Sequence, residues 1–378
     1  MFTALNTIYG IVGKENISTL SFEGRYACKL QKKNGVESKF YFATPIANGS
    51  VLVEKCFDIF SNGYSFQGSG GKIEIFPEGI VLRNAECEIR FLWEREQSFH
   101  ISEDHARLTS EEMSISPTFS GVKVMQKYQG PLYFTCIVQS KKKGHIRMNS
   151  KSFAYMKDKF LPHFTLSTMY ANKANGLLGV NLAMKQEGDT KVRLRMIASD
   201  KEATSLCWEM NWYEPKLIQD TTVESARPSE NNVYGNIAFL GHTPDHGVQY
   251  LYSRFDLTKI NADPSQRMER VLLHIPYYQA GEQGFRVFAP FRRFCSFGSN
   301  WENKMPASEF CARYEKKNGC FVFDLSQYLL NQNGGFTANT GVVFCSAVAD
   351  GASILSTADN YDRPQIIEIQ YEKEKNYE

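Results

Sequence analysis

The sequence predicts an all-β protein built of tandem antiparallel β-sandwich domains, jelly-roll-like, with very little helix. Three observations carry this. Short runs alternate with period two, as in "KVRLRMIA", where Val192, Leu194 and Met196 interleave with Lys191, Arg193 and Arg195. Turn clusters such as "ANGS", "SNG", "GSGG" and "PEG" separate the runs at short intervals. Aromatic residues are plentiful, with 27 Phe and 19 Tyr, and they suit pleated, half-buried surfaces. Regular short strands with frequent turns point to sandwiches or barrels and away from β-α-β units.

In chain order, "KFYFATPI", "GSVLVEKCFDIF" and the run from "GYSF" to "RFLW" read as strands, and Ile73 and Ile75 alternate with Lys72 and Glu74. "SFAYMKDKFL" places Phe153, Met156 and Phe160 on one side of a short helix or a strand pair. The strand pattern runs out at Trp212 and Tyr213, and Pro215 interrupts, so a boundary is expected near residue 214. The expected organisation is a β-rich region over 1–213, holding one large or two small sandwiches, then a sandwich module over 214–372 and a solvated tail over 373–378. In "FDLSQYLLNQNGG", Leu325, Tyr328 and Leu329 recur at helical spacing before Gly334 and Gly335, which predicts a short helix. In the closing "DNYDRPQIIEIQYE", Pro364 stands at the head of a strand. Beyond it, Ile367, Ile369 and Tyr371 project to one side and Ile366, Glu368 and Gln370 to the other.

A net charge of +2 gives no bulk electrostatic reason for a nucleic-acid partner. The basic run "SKKKGHIR" (Ser140 to Arg147) reads as a solvated turn. Nine cysteines, an odd number with no C-x-x-C, sit mostly in apolar runs, the setting of buried free thiols in a reducing compartment. The N-terminal residues do not read as a secretory leader, and no run reaches the roughly 18 apolar residues that span a membrane. The sequons at Asn16 and Asn48 read as chance matches unless the chain is secreted through a glycosylating route.

From Asp220 onward, five patterns follow in order. They are Tyr234-Gly235 closing an Asn-rich loop, Phe255-Asp256-Leu257, Trp301-Glu302-Asn303 through Pro306, Phe323-Asp324-Leu325, and Asp359-Asn360 before Pro364. Over roughly residues 217–372 this order closely resembles the DNRLRE-type domain, a family of bacterial β-sandwich modules grouped among carbohydrate-binding modules. The resemblance implies a sandwich whose last strand is the Pro-headed one. It speaks to fold more than to ligand, because fold does not fix function. Known modules of this type are often exported or attached to enzymes, whereas this sequence shows no leader and many unpaired cysteines.

No nucleophile elbow, P-loop or dinucleotide fingerprint is present. The close histidine pairs, His100 with His105 and His242 with His246, read as polar loops, since Gly241, Pro244 and Gly247 forbid a metal-binding helix around the second pair. Asp350, Asp359 and Asp362 offer hard oxygens for a structural calcium ion, against the alternative of Asx turns. A glycan site needs an aromatic platform with polar flanks. The candidates are Tyr277, Tyr278, Phe285, Arg286 and Trp301, with Trp301 more readily read as a core or loop anchor and one of the adjacent tyrosines expected to face outward.

The expected function is that of a non-catalytic structural and binding protein. Reduced thiols, the lack of a leader and an extracellular-type module are reconciled by a component made in the cytoplasm and carried in a phage tail, virion or related particle. Its partners would be a polysaccharide or cell-surface glycan and protein neighbours in a symmetric assembly, with no nucleic acid and no membrane span. The alternatives are a stand-alone carbohydrate-binding adhesin and a polysaccharide-degrading enzyme with a catalytic N-terminal half.

Overall fold

Alternation along each run decides which side chains meet the core. In Lys191–Ala198 the even positions Val192, Leu194 and Met196 are buried, while Arg193 and Arg195 are exposed. The computed structural model describes residues 4–44, 57–174, 176–260, 266–282, 284–310, 312–348 and 350–372. Among these, antiparallel strands dominate, and the α-helices are Ala4–Val12 and the four-residue Ser326–Leu329. The chain is all-β, as the sequence predicts. Among the described residues no helix is long and apolar enough to cross a membrane, which leaves open a crossing by strands.

The chain divides into two compact units. The described residues of the first fall within Val53–Glu214, with Tyr234–Asn236. Its strands form an eight-stranded and a nine-stranded sheet around one core. Phe91 and Phe134 come from the first sheet and Trp208 from the second; the Trp208 ring lies 5.1 Å from Phe91 and 5.6 Å from Phe134. Gly121, in the strand Gly121–Lys127, pairs with Asn211 so closely that a Cβ there would collide with the Met210 carbonyl oxygen.

The described residues of the second fall within Phe2–Leu52, Pro215–Val233 and Ile237–Glu378. Its strand path folds around a second core. One layer runs Ile17–Glu23, Ala27–Lys32, Glu37–Phe42, Ile366–Tyr371, Met268–Gln279 and Cys320–Asp324. Met268–Gln279 serves both layers: Arg270 to His274 pair with Ile366–Tyr371, whereas Tyr277 and Gln279 pair with Gly351–Ser356 of the other layer. Tyr41, Leu273, Ile367 and Ile369 of the first layer share a core with Leu240, Leu251, Phe344 and Leu355 of the second.

Two differences from the sequence reading stand out. The first unit ends at Glu214, yet residues 17–42 belong to the second, because Ser38 to Phe42 pair with Ile366 to Gln370. Alternation identifies a strand but not its partner. Ala4–Val12 is a helix, with Leu5, Ile8, Ile11 and Val12 on the side that packs against the sheet. In "SFAYMKDKFL" the strand-pair alternative holds: Ser152–Met156 is a strand that turns and pairs antiparallel with Pro162–Lys173. The tail over 373–378, Asn48, Cys56 and Cys311 lie outside the described residues. The seven described cysteines are free thiols, and all but Cys295 are buried.

A polar recess on the sheet of the second unit

The closing strand shows how a site arises here. Ile367, Ile369 and Tyr371 enter the core between the layers. Ile366, Glu368 and Gln370 therefore face the opposite side. The neighbouring strands do the same. Val271, Leu273 and Ile275 point into the core, leaving Arg270, Leu272 and His274 outward; Tyr41 points in, leaving Ser38, Phe40 and Phe42 outward. The helix Ala4–Val12 covers the apolar part of this outer face, with Ile8 and Ile11 against Phe40, Phe42, Leu272, Val322 and Ile366. Past the end of the helix the same face turns polar. A recess of about 570 Å³ opens there, floored by His274 and Glu368 and bounded by Lys32, Lys33, Arg270, Glu315 and Lys317.

Glu368 anchors this floor, its side chain only 4% exposed. Its Oε1 accepts hydrogen bonds from Gln370 Nε2 at 2.8 Å, Ser38 Oγ at 3.1 Å and Lys32 Nζ at 3.2 Å. Its Oε2 faces His274 Nε2 at 2.9 Å. The carboxylate is acceptor-only, so that imidazole nitrogen carries the proton. Nδ1 of His274 is buried without a hydrogen-bond partner. Burial pushes the Glu368 carboxyl up, but the hydrogen bond and charge of His274, then the Lys32 ammonium and the Gln370 amide, outweigh it and hold the pKa at about 2.

The rim is cationic. Lys32, Lys33, Arg270 and Lys317 stand against Glu315 and Glu368. Lys32 is committed to Glu368, and Arg270 to Asp324 at 2.9 Å. Lys33 and Lys317 are exposed, and among the described residues neither has a carboxylate within ion-pair distance. The surplus positive charge thus sits on flexible side chains above a rigid, already neutralised floor.

The five candidates for an aromatic platform lie in separate settings. Phe285 is a core residue, packed edge-on to Phe321 at 4.7 Å. Tyr277 also leans on Phe321, at 5.1 Å, and packs against the core. Tyr278 is the tyrosine of the pair on the other face; its hydroxyl accepts from Asn360 Nδ2 at 2.8 Å, and the Arg363 guanidinium lies 4.8 Å from its ring centre. Arg286 is exposed and paired with Glu309, its Nε 2.9 Å from Oε1. Trp301 packs on Tyr250 at 5.2 Å, with the Lys304 ammonium 4.0 Å from its ring centre, which is the loop-anchoring arrangement.

The three aspartates do not converge either. Among the described residues no three His, Cys, Asp or Glu side chains gather as a metal site. Asp350 is exposed, Asp362 half-buried and Asp359 buried. The physical reason lies with Lys216, whose buried ammonium pairs with Asp359 and lies against the Tyr361 ring. It also acts on fully buried Asp220, whose carboxyl burial drives up to about 7 against the opposing pull of the Ala358 N–H and then Lys216. A lysine, and not a calcium ion, thus neutralises the buried aspartate of the three. His246, expected in a polar loop, is buried 3.3 Å from the buried Glu224 carboxylate.

No family model matches the chain, and no curated protein matches it in sequence. Two crystal structures of an exo-β-1,3-galactanase from Phanerochaete chrysosporium, single-site variants each with β-1,3-galactotriose, align over 93% of this chain and 96% of that chain. Identities are 8% and 9%, and the TM-scores of 0.13 and 0.12 are too low to bear on fold or function.

Proposed function

We propose that this is a non-catalytic binding protein whose second unit takes an acidic saccharide in the recess above Glu368. The observation that carries the reading is the charge arrangement: Lys33 and Lys317 flank an opening whose buried carboxylate is already satisfied. Carboxylates or sulfates of a glycan would meet the lysines, and the Asn16, Asn34 and Gln370 amides around the recess suit hydroxyl groups. The resemblance of residues 217–372 to the DNRLRE-type domain, grouped among carbohydrate-binding modules, is part of this proposal.

In this reading the Glu368–His274 pair is structural: a carboxyl held at about 2 stays deprotonated at neutral pH and keeps the imidazole and the Lys32 ammonium in place. With donors on both oxygens it is a fixed anchor for His274 and Lys32. A place in a virion or related particle is compatible with this reading but has no separate structural support.

The test is native affinity electrophoresis of the full chain through gels cast with polygalacturonate, alginate or neutral dextran. Retardation by an acidic polymer, lost in Lys33→Glu plus Lys317→Glu, is the expected result. Equal mobility in all gels, for a folded sample, would end the acidic-saccharide reading.

A further inference from the structure

A second recess lies in the first unit and involves none of these residues. The strand Gly121–Lys127 sends Val122, Val124 and Gln126 towards the core, and Cys87–Trp93 sends Ile89, Phe91 and Trp93 there. Gln126 and Trp93 are the last inward positions before each chain leaves its strand. Around them opens a cleft of about 430 Å³.

Gln126 is only 7% exposed, yet its amide makes no hydrogen bond among the described residues, and its Oε1 is fully buried. A buried Oε1 without a partner is a cost that folding alone does not explain. The surrounding groups are wired by contrast: Ser110 Oγ donates to Gln97 Oε1 at 2.8 Å, and Gln97 Nε2 reaches Glu112 Oε2 at 3.3 Å. Tyr133, 45% exposed, also lines the cleft, with the Arg195 guanidinium 5.7 Å from its ring centre.

We propose that this cleft binds a neutral saccharide. A ring hydroxyl both donates and accepts, so it can satisfy the Gln126 amide whichever way that amide is turned. The oriented Glu112 carboxylate accepts a second hydroxyl, and the exposed Tyr133 ring offers a face for sugar C–H groups. Three glutamates, Glu94, Glu111 and Glu112, line the cleft against Arg95 and Lys127, which disfavours the anionic ligand expected in the other unit.

The experiment is saturation-transfer NMR and calorimetry on the full chain with neutral tetrasaccharides of glucose, galactose, mannose and xylose. At least one should bind saturably, and Gln126→Leu and Tyr133→Ala should each weaken it by about tenfold. Gln126→Leu should not lower the melting temperature, because it removes an unpaired buried amide. The Lys33→Glu, Lys317→Glu variant should bind the same sugar unchanged, which separates this site from the acidic one. Absence of binding by all four sugars, or binding indifferent to both cleft variants, would overturn the proposal.

Discussion

Replacing Glu368 by glutamine tests whether the buried floor of the recess is held by charge. Folding takes this carboxyl from the ordinary 4.5 to about 2. At about 1.36 kcal/mol per pH unit, that fall contributes about 3 kcal/mol to the stability of the second unit at neutral pH. With only 4% of the side chain exposed, solvent screening removes little of it. Because the folded value is the lower one, the contribution is complete above pH 4.5 and disappears as pH falls towards 2; about half remains at pH 3. Urea unfolding of wild type and Glu368→Gln, followed by circular dichroism from pH 7 to pH 3, should show a gap of about 3 kcal/mol that holds down to about pH 4.5 and falls to about half by pH 3. A gap that stays constant across this range would mean that shape, and not charge, fixes the floor, and the electrostatic reasoning would be wrong.

Three further outcomes follow from the same physics. Lys216→Met leaves Asp359 and Asp220 buried without their cation, and should cost about 3–5 kcal/mol in thermal or urea unfolding; stability restored by added calcium would show that the loop is a metal site after all. Burial holds the thiols of Cys28, Cys87, Cys136 and Cys345 at about 12 and that of Cys320 at about 11. Iodoacetamide at pH 8 should therefore modify exposed Cys295 well before these five, as peptide mass mapping would show. Gly121→Ala should destabilise the first unit by at least about 2 kcal/mol, because the pairing with Asn211 has no room for a methyl group; unchanged unfolding would disprove so close an approach.

The class of fold was legible because alternation is local. "KVRLRMIA" and "IIEIQY" name their inner and outer faces without any tertiary information, and both do so correctly. Strand partnership is not local, which is why residues 17–42 could not be assigned to the sheet that Ile366–Tyr371 completes. The glycan candidates were chosen for being aromatic, and on a sandwich that criterion selects core residues such as Phe285 as readily as surface ones. The recess has a different signature: one charged or ionisable residue set in an apolar strand, His274 in "VLLHIP" and Glu368 in "IIEIQ". Burial of such a residue demands a partner, and Glu368 and His274 are each other's. Lys216 carries the same mark, a lone lysine whose depth appears only once the loop over 357–365 has folded onto it.

The most direct test of the central claim is to watch His274 during binding. In ¹⁵N-edited NMR of the full chain, titration with oligogalacturonate should shift the His274 ring signals and leave the six other histidines unmoved. The midpoint should match the loss of mobility in polygalacturonate gels. Retardation in those gels with the His274 signals unchanged would place the acidic saccharide elsewhere and contradict the account.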